Sequence, residues 1–500
     1  MLTAGRGEGR STGADQVAAA AMPDPFVEPL PERGPDLATS LGAMLALLGF
    51  VIGARVIGDN SFLTHLATGR LILDTASVPT TDPYSWSAGE SWTVQSWLAS
   101  VLYASLESAA GPWAIRWLNG VLGAVVVGGL WALTSPVRSL LLRTGLVSLT
   151  IVIGTFLWPP RPLLFALACL VLVLLVAQGR LAAPWLVPVF WVWANTHGSF
   201  VLGGGLLVLM LLGAAIDERA VPRHELRVVL WGAAGGVAAL ANPIGWRLIW
   251  FPLHLMGRNE ALDRVAEWAS PSFRSPVEQL FLLLLLLLVV AATRRAGWRA
   301  LLPSVVFFAT GLLAVRNLGV ASVVIVALLA PALAESFGSI DGTERGLIPR
   351  AMAVIAVVGV ALVAVVTASE PAIDLESYPV EEVDWLEERD LVADPGVRLA
   401  QRDFVGNYLH HRYGPEASVF MDDRFDFHPL PVVADHAGLL SAGDYREILD
   451  RNGFDVLLWE LDSPLHRWIG EQPAWLVVGE GEEWFIACRR SSAVFDRCTG

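Results

Sequence analysis

The sequence predicts an α-helical polytopic membrane protein with about eleven transmembrane helices, followed by a C-terminal extracytoplasmic α/β domain. Three observations carry that expectation. Of the 500 residues, 54% are hydrophobic and only 16% are charged, a balance that places the chain in the membrane class. Apolar runs about 15 to 20 residues long, such as FLLLLLLLVVAA, recur from residue 40 to residue 367 between clusters of Arg, Pro, Gly or Trp, which favours helices over the weaker alternating segments of a barrel. Finally, residues 368–500 hold 27 acidic residues against 11 arginines, leaving 21 acidic residues and 23 arginines for the rest of the chain. The terminal part is therefore an acidic, soluble domain attached to a nearly neutral membrane part.

Taken in order, residues 1–38 carry Gly, Pro, Ser and charge without periodicity and without an apolar core before a cleavage site. They read as a disordered cytoplasmic tail. The domain at 39–367 is expected to span the membrane near 40–58, 114–134, 144–160, 162–178, 183–195, 199–216, 227–241, 277–293, 300–315, 318–334 and 351–367. With the amino terminus inside, the cytoplasmic loops carry Arg138 and Arg143, Arg180, Arg219 and Arg223, Arg294, Arg295 and Arg299, then Arg345 and Arg350, as the positive-inside rule requires. All 34 basic residues are arginine, a hint of a GC-rich bacterial genome. The expected location is the bacterial cytoplasmic membrane, with the domain at 368–500 outside.

That topology decides which residues can meet. Asp59, His65, Arg161, His197, Asn242, Glu267 and Arg316 are distant in sequence, yet all fall in segments expected on the outer face. Each taken alone is also consistent with an ordinary solvated loop residue. Ionisable groups beside spans are costly, and they usually line a cavity or pair with one another.

The outer loop at 59–113 is too long and too apolar to be a simple connection. Phe62, Leu63, Leu66 and Leu73 give residues 61–74 an apolar helical face, with Asp59 and Asn60 where an N-cap belongs. Val78-Pro79-Thr80-Thr81-Asp82-Pro83 ends that helix, and a second amphipathic run follows from Trp92 to about Leu106. Two interfacial helices around a Pro-rich turn are expected.

In Asp59 directly after the first span, in the HLATGRLILDTASVPTTDPYSW stretch and in the paired loop helices, the chain resembles bacterial membrane glycosyltransferases of the GT-C type. These are relatives of the protein O-mannosyltransferases and of the lipopolysaccharide-core galacturonosyltransferases. The resemblance extends through WPPRPLLF, WANTHGSFVLG, ANPIGWRL with AEWASPSF, and AVRNLGV, motifs that resemble an often uncharacterised bacterial branch of the group. It implies transfer of a hexose or pentose from a polyprenyl-phosphate donor to a glycan, lipid or protein acceptor in the cell envelope, with Asp59 as general base. An acceptor hydroxyl must lose its proton while a lipid phosphate departs with negative charge, tasks suited to a carboxylate and to guanidinium groups. Arg161 and Arg316 are the candidates for the phosphate, and otherwise snorkel to a lipid headgroup. His65 and His197 are candidates for sugar or phosphate oxygens, and otherwise cap local backbone. Asn242 and Glu267, near Trp246 and Trp268, offer hydrogen bonds and aromatic surface to a sugar. Many relatives place a second acidic residue close behind the first, where this chain has Asn60 and Ser61. No cofactor is assigned, and a divalent metal stays open.

The terminal domain reads as a helix near 403–413, a strand at ASVFM, a helix near 443–452, and strands at FDVLLWE, AWLVVG and EWFIAC. Its acidic turn, Met421 to Pro429, holds Asp422, Asp423, Asp426 and His428, which could ligate a divalent ion or pair with Arg424 to fix the turn. Cys169 is expected to pack as a small apolar residue, while Cys488 and Cys498 are either free or paired. The acidic balance disfavours nucleic acid as a partner. A non-catalytic scaffold or lipid-binding protein for envelope assembly is the alternative function.

Overall fold

The computed structural model describes residues 34–86, 91–155, 158, 160–257, 265–334, 342–417, 419–441 and 443–500. The tail expected at 1–38 lies outside the described residues up to position 33. The first five helices are α1 (Leu37–Gly53), α2 (Asn60–Thr75), α3 (Trp97–Ala110), α4 (Trp113–Leu133) and α5 (Leu140–Thr155). They are followed by α6 (Leu163–Ala177), α7 (Leu186–Thr196), α8 (Phe200–Glu218), α9 (Arg223–Ala238) and α10 (Trp246–Met256). Next come α11 (Pro276–Phe281), α12 (Leu283–Thr293), α13 (Trp298–Leu313), α14 (Asn317–Leu329) and α15 (Leu347–Ser369). Helices thus stand at the positions expected for spans. Among the described residues, four segments, α4, α8, the α11–α12 pair and α15, are long and apolar enough to cross a membrane. Most of the others at those positions are shorter apolar helices.

Composition sets each helix's place. α6 and α14 consist almost wholly of Leu, Val, Ile and Ala and are buried on every side, as a helix without a polar face must be. α15 exposes Val354, Ile355, Val357 and Leu362, a surface that suits lipid. α1 and α4 approach through glycine: a Cβ on Gly49 would come within 2.6 Å of the Gly123 carbonyl oxygen. Between helices in lipid, such close backbone packing replaces the hydrophobic drive available in water.

The two ends of the bundle differ chemically. At one end the Arg-bearing loops are tied together: Arg180 donates to the Ser135 hydroxyl at 2.7 Å, and Arg299 donates to Glu225 at 2.7 Å and to the Ala177 carbonyl at 2.6 Å. Arg143 covers the Trp131 ring at 3.7 Å. At the other end sit the outer loop and the terminal domain.

That domain comprises α16 (Val380–Glu387), β1 (Leu399–Gln401), α17 (Asp403–Tyr413), α18 (Leu430–Leu440), α19 (Tyr445–Asn452), β2 (Val456–Glu460), α20 (Pro464–Gly470), β3 (Trp475–Glu480), β4 (Trp484–Arg489) and α21 (Phe495–Thr499). The sheet order is β1-β2-β4-β3, with β1 and β2 parallel and the remaining pairs antiparallel. Cys488 on β4 and Cys498 on α21 form a disulfide, and Cys169 is free and buried.

One expected strand is absent among the described residues. ASVFM forms a single bridge, Val419 to Ser85. The Val419 amide donates to the Tyr84 carbonyl at 2.9 Å, the Trp86 amide donates to the Val419 carbonyl at 3.2 Å, and the Met421 carbonyl accepts from the Gln401 side chain at 2.8 Å. Its hydrogen bonds go to the outer loop and to one side chain, so no ladder is left for the sheet. The outer loop and the terminal domain are consequently stitched together through their backbones.

Candidate functional site

The site begins where α1 ends. Asp59 occupies the N-cap position of α2, but its carboxylate makes no capping hydrogen bond. Instead Asp59 Oδ2 lies 3.3 Å from Arg161 Nη1, and Asp59 Oδ1 is buried without a hydrogen-bond partner. A residue at this position normally satisfies a helix amide; here the ion pair with Arg161 is made instead.

Arg161 immediately precedes the Pro162 N-cap of α6. Its Nη2 donates to both oxygens of Glu267, each at 2.8 Å. Glu267 lies on the short 3₁₀ turn Ala266–Trp268, and that segment pairs with the start of α14: the Arg316 amide donates to the Glu267 carbonyl at 3.1 Å and the Val315 amide to the Ala269 carbonyl at 3.0 Å. This pairing puts the Arg316 guanidinium 4.4 Å over the Trp268 ring. Among the described residues, no carboxylate comes within ion-pair distance of Arg316. The chain has therefore placed one guanidinium between two carboxylates and rested a second on an aromatic ring.

The two histidines face this cluster. His65, on α2, has Nδ1 at 3.4 Å from the Ser100 hydroxyl. Burial, together with the positive charge of Arg161 and Arg424, lowers it to about 4, so it is neutral at physiological pH. His197 has Nδ1 at 2.8 Å from the Ser199 hydroxyl, while the Gly198 amide donates to Gln95 Oε1 at 2.7 Å. The positive charges of Arg316 and Arg161 act on His197. Asn242 is not part of the cluster: its Oδ1 accepts from the amides of Ile244 at 2.7 Å and Gly245 at 2.6 Å, and its amide group donates to the Ala239 carbonyl at 2.7 Å. Its side chain is occupied in holding its own turn. Among the described residues, no group of three or more His, Cys, Asp or Glu side chains is arranged to hold a metal ion.

The terminal domain packs against the start of α2, beside this cluster. α2 is not a helix lying on a lipid surface but is packed between α3 and α17. Thr64 hydrogen-bonds His410 at 3.1 Å, Thr68 hydrogen-bonds Tyr84 at 3.1 Å, and Tyr84 stacks on His410 at 4.4 Å. The reason is chemical: the Ser and Thr residues of α2 need polar partners, and the terminal domain and the outer loop supply them. In the acidic turn, Arg424 binds Asp422 through Nε at 2.9 Å and through Nη2, and reaches Asp82 of the outer loop at 2.7 Å. The Asp–Arg reading of this turn is the arrangement found. Burial alone would raise the Asp422 carboxyl, but Arg424 and His428 together outweigh it and hold the group well below the usual carboxylate range.

Asp423 differs from its neighbour. It accepts from the Ser61 hydroxyl, and its amide donates to Asn407 Oδ1 at 3.1 Å. Burial pushes its carboxyl up to about 7, and the charges of Asp422 and Asp59 add to that. Asp59 is likewise raised by burial, with Arg161 opposing and Glu267 reinforcing the shift. The partnerships of Ser61 with Asp423 and of Asp82 with Arg424 join segments more than 300 residues apart. Only the MDDRFDFHP turn signalled them in the sequence.

The assembled groups can take up a proton at Asp59 and hold an anion at Arg316, beside neutral imidazoles and aromatic surface. No protein-family model matches the chain, and no curated protein is similar to it in sequence. Solved structures similar to the chain in fold include two archaeal ones. One is the archaeal oligosaccharyltransferase AglB from Archaeoglobus fulgidus in complex with an inhibitory peptide and a dolichol-phosphate, at a TM-score of 0.49 and 10% identity over 85% of this chain and 69% of that one. The other is the Archaeoglobus fulgidus oligosaccharyltransferase in complex with Zn and sulfate, at a TM-score of 0.47 and 10% identity over 84% of this chain and 68% of that one.

Proposed function

We propose that this chain is a membrane glycosyltransferase that moves a sugar from a polyprenyl-phosphate donor to an envelope acceptor at the outer face of a bacterial cytoplasmic membrane. Asp59 takes the proton of the acceptor hydroxyl as that oxygen attacks the anomeric carbon. Arg316, with Arg161 beside it, holds the phosphate that leaves with the electron pair of the broken bond. His65, His197 and Glu267 border the sugar. The reading includes about eleven spans, with the Arg-bearing loops inside and residues 368–500 outside. The disulfide between Cys488 and Cys498 supports that orientation, because such bonds persist in oxidising compartments.

The observation that carries this reading is the guanidinium of Arg316, stacked on Trp268 without an ion-pair partner among the described residues. An unpaired cation beside a membrane is costly unless an anion joins it. Undecaprenyl phosphate binding to the full-length protein in detergent tests this. Arg316→Ala is expected to weaken binding about 10- to 100-fold, the size of a lost charge-assisted hydrogen bond. Arg295→Ala, at the opposite end of the bundle, is expected to bind as wild type does. Equal affinity of wild type and Arg316→Ala would sink the proposed phosphate site.

A further inference from the structure

The Arg-bearing end of the bundle carries a second polar feature, at the opposite end of α1 from Asp59. Near Asp59, α1 and α4 touch through glycine: a Cβ on Gly53 would come within 2.2 Å of the Asn119 carbonyl oxygen. Toward the Arg-bearing end the two helices draw apart. A Cβ on Gly128 would lie 3.7 Å from the Ala46 methyl group, an ordinary contact, and at Gly42 the gap is bridged by the Trp131 ring, whose Nε1 would stand 2.4 Å from an added Cβ. Beside that ring lies a cleft of about 470 Å³, lined by Gly42, Ala43 and Ala46 of α1, Gly128 and Trp131 of α4, and Arg143 in the first turn of α5.

Arg143 gives the cleft its chemistry. Its guanidinium lies 3.7 Å over the Trp131 ring, Nη2 donates to the Trp131 carbonyl at 2.6 Å, and Nε is buried with no hydrogen-bond partner. Among the described residues, no carboxylate lies within ion-pair distance of it. The Asp36 carboxylate, also on the lining, is spent on capping α1, where it accepts from the Thr39 amide at 2.8 Å. Further arginines gather at this corner. Arg180 is fastened to Ser135, one turn beyond Trp131. Arg345 pairs with Asp36 through the backbone, and the Arg350 side chain lies against Gly34. Against these four guanidinium groups stand Asp36 and Glu344, so the corner is positive.

We propose that this cleft binds one anionic phospholipid from the leaflet at the Arg-bearing end, with the phosphodiester at Arg143 and an acyl chain along Gly42, Ala43, Ala46 and Gly128. A basic pocket between spans suits an anionic headgroup, and a guanidinium presents its donors in a fork that matches phosphate oxygens. The small side chains of the lining let a hydrocarbon chain approach both helix backbones, and Trp131 suits the depth where headgroup meets hydrocarbon. A zwitterionic headgroup would bring its own cation into a corner that is already positive. The lipid joins α1, α4 and α5 through one ligand, and its binding does not depend on sugar transfer at the other end of the bundle.

Native mass spectrometry of the full-length protein, titrated in detergent with dioleoyl phosphatidylglycerol or dioleoyl phosphatidylcholine, tests this. Wild type is expected to bind one phosphatidylglycerol about 5- to 10-fold more tightly than phosphatidylcholine, the scale of one arginine at an anionic membrane surface. Arg143→Ala is expected to lose that preference. Ala43 is an exposed residue of the cleft wall, so Ala43→Phe fills the cleft without removing a buried contact. It is expected to abolish the same binding event, and it decides the matter if Arg143→Ala does not fold. Arg295→Ala, at the same end but outside the lining, is expected to bind as wild type does. Equal affinity of wild type for the two lipids would overturn the proposal, as would a preference that survives either Arg143→Ala or Ala43→Phe. Displacement of phosphatidylglycerol by inorganic phosphate alone would overturn it too, because it would mark a site for a free anion.

Discussion

On the proposed function, replacing Asp59 by Asn is expected to lower sugar transfer by about 10²- to 10⁴-fold, the loss when a general base is removed, and to leave the fold intact. The geometry explains why the two effects separate. Asn matches Asp in size, and the helix that Asp59 precedes never used its carboxylate as a cap. Arg161 keeps both hydrogen bonds to Glu267 at 2.8 Å, so the substitution strands no buried cation. What disappears is the oxygen with no other partner. Initial rates with polyprenyl-phosphate sugars, read beside a thermal unfolding curve, check this. A rate close to that of wild type would remove Asp59 from the chemistry and favour a scaffold or lipid-binding role, whereas a collapsed unfolding transition would assign it to structure.

Arg424→Ala has the opposite character. It is expected to destabilise the terminal domain and its grip on the outer loop by about 3–5 kcal/mol, the usual cost of removing one partner from a buried charge pair. The side chains of Asp82 and Asp422 are both 0% exposed and both depend on this guanidinium. Arg424 also lies over the rings of Trp92 at 4.6 Å and Phe427 at 5.0 Å, so packing is lost with the charge. The pH dependence follows from Asp422, whose carboxyl is held well below its ordinary 3.8. A depressed carboxyl contributes stability that is present above the unfolded value and is lost as pH falls through the folded one. Wild type should therefore lose this contribution below about pH 4, and Arg424→Ala, which keeps only the part due to His428, should show a flatter acid limb. Denaturant unfolding at several pH values, with limited proteolysis of the outer loop, measures both effects.

The helices were legible in the sequence because apolar runs dictate them, and the end of the bundle to which Asp59, Arg161, Glu267 and Arg316 belong followed from counting spans and arginines. What linear reading could not supply was pairing. Glu267 reaches Arg161 because a short 3₁₀ turn pairs with the start of α14, and no local pattern encodes that. ASVFM has the composition of a strand, yet its hydrogen bonds are taken by Tyr84, Trp86 and Gln401. Asn242 reads as a ligand for sugar hydroxyls, but it spends its side chain on its own turn, the ordinary use of Asn before a tight bend. Asp59 carried the opposite ambiguity. Its position suggests a cap, and only three-dimensional placement shows that the cap is not made.

The proposed function places a lipid phosphate at the Arg316 guanidinium, with Arg161 beside it. A structure of the full-length protein bound to undecaprenyl phosphate tests it most directly. Phosphate density within hydrogen-bonding distance of the Arg316 guanidinium, with the lipid chain leaving between helices toward the bilayer, is the predicted result. Phosphate bound elsewhere, with Arg316 still resting on Trp268 and without an anion, would contradict it.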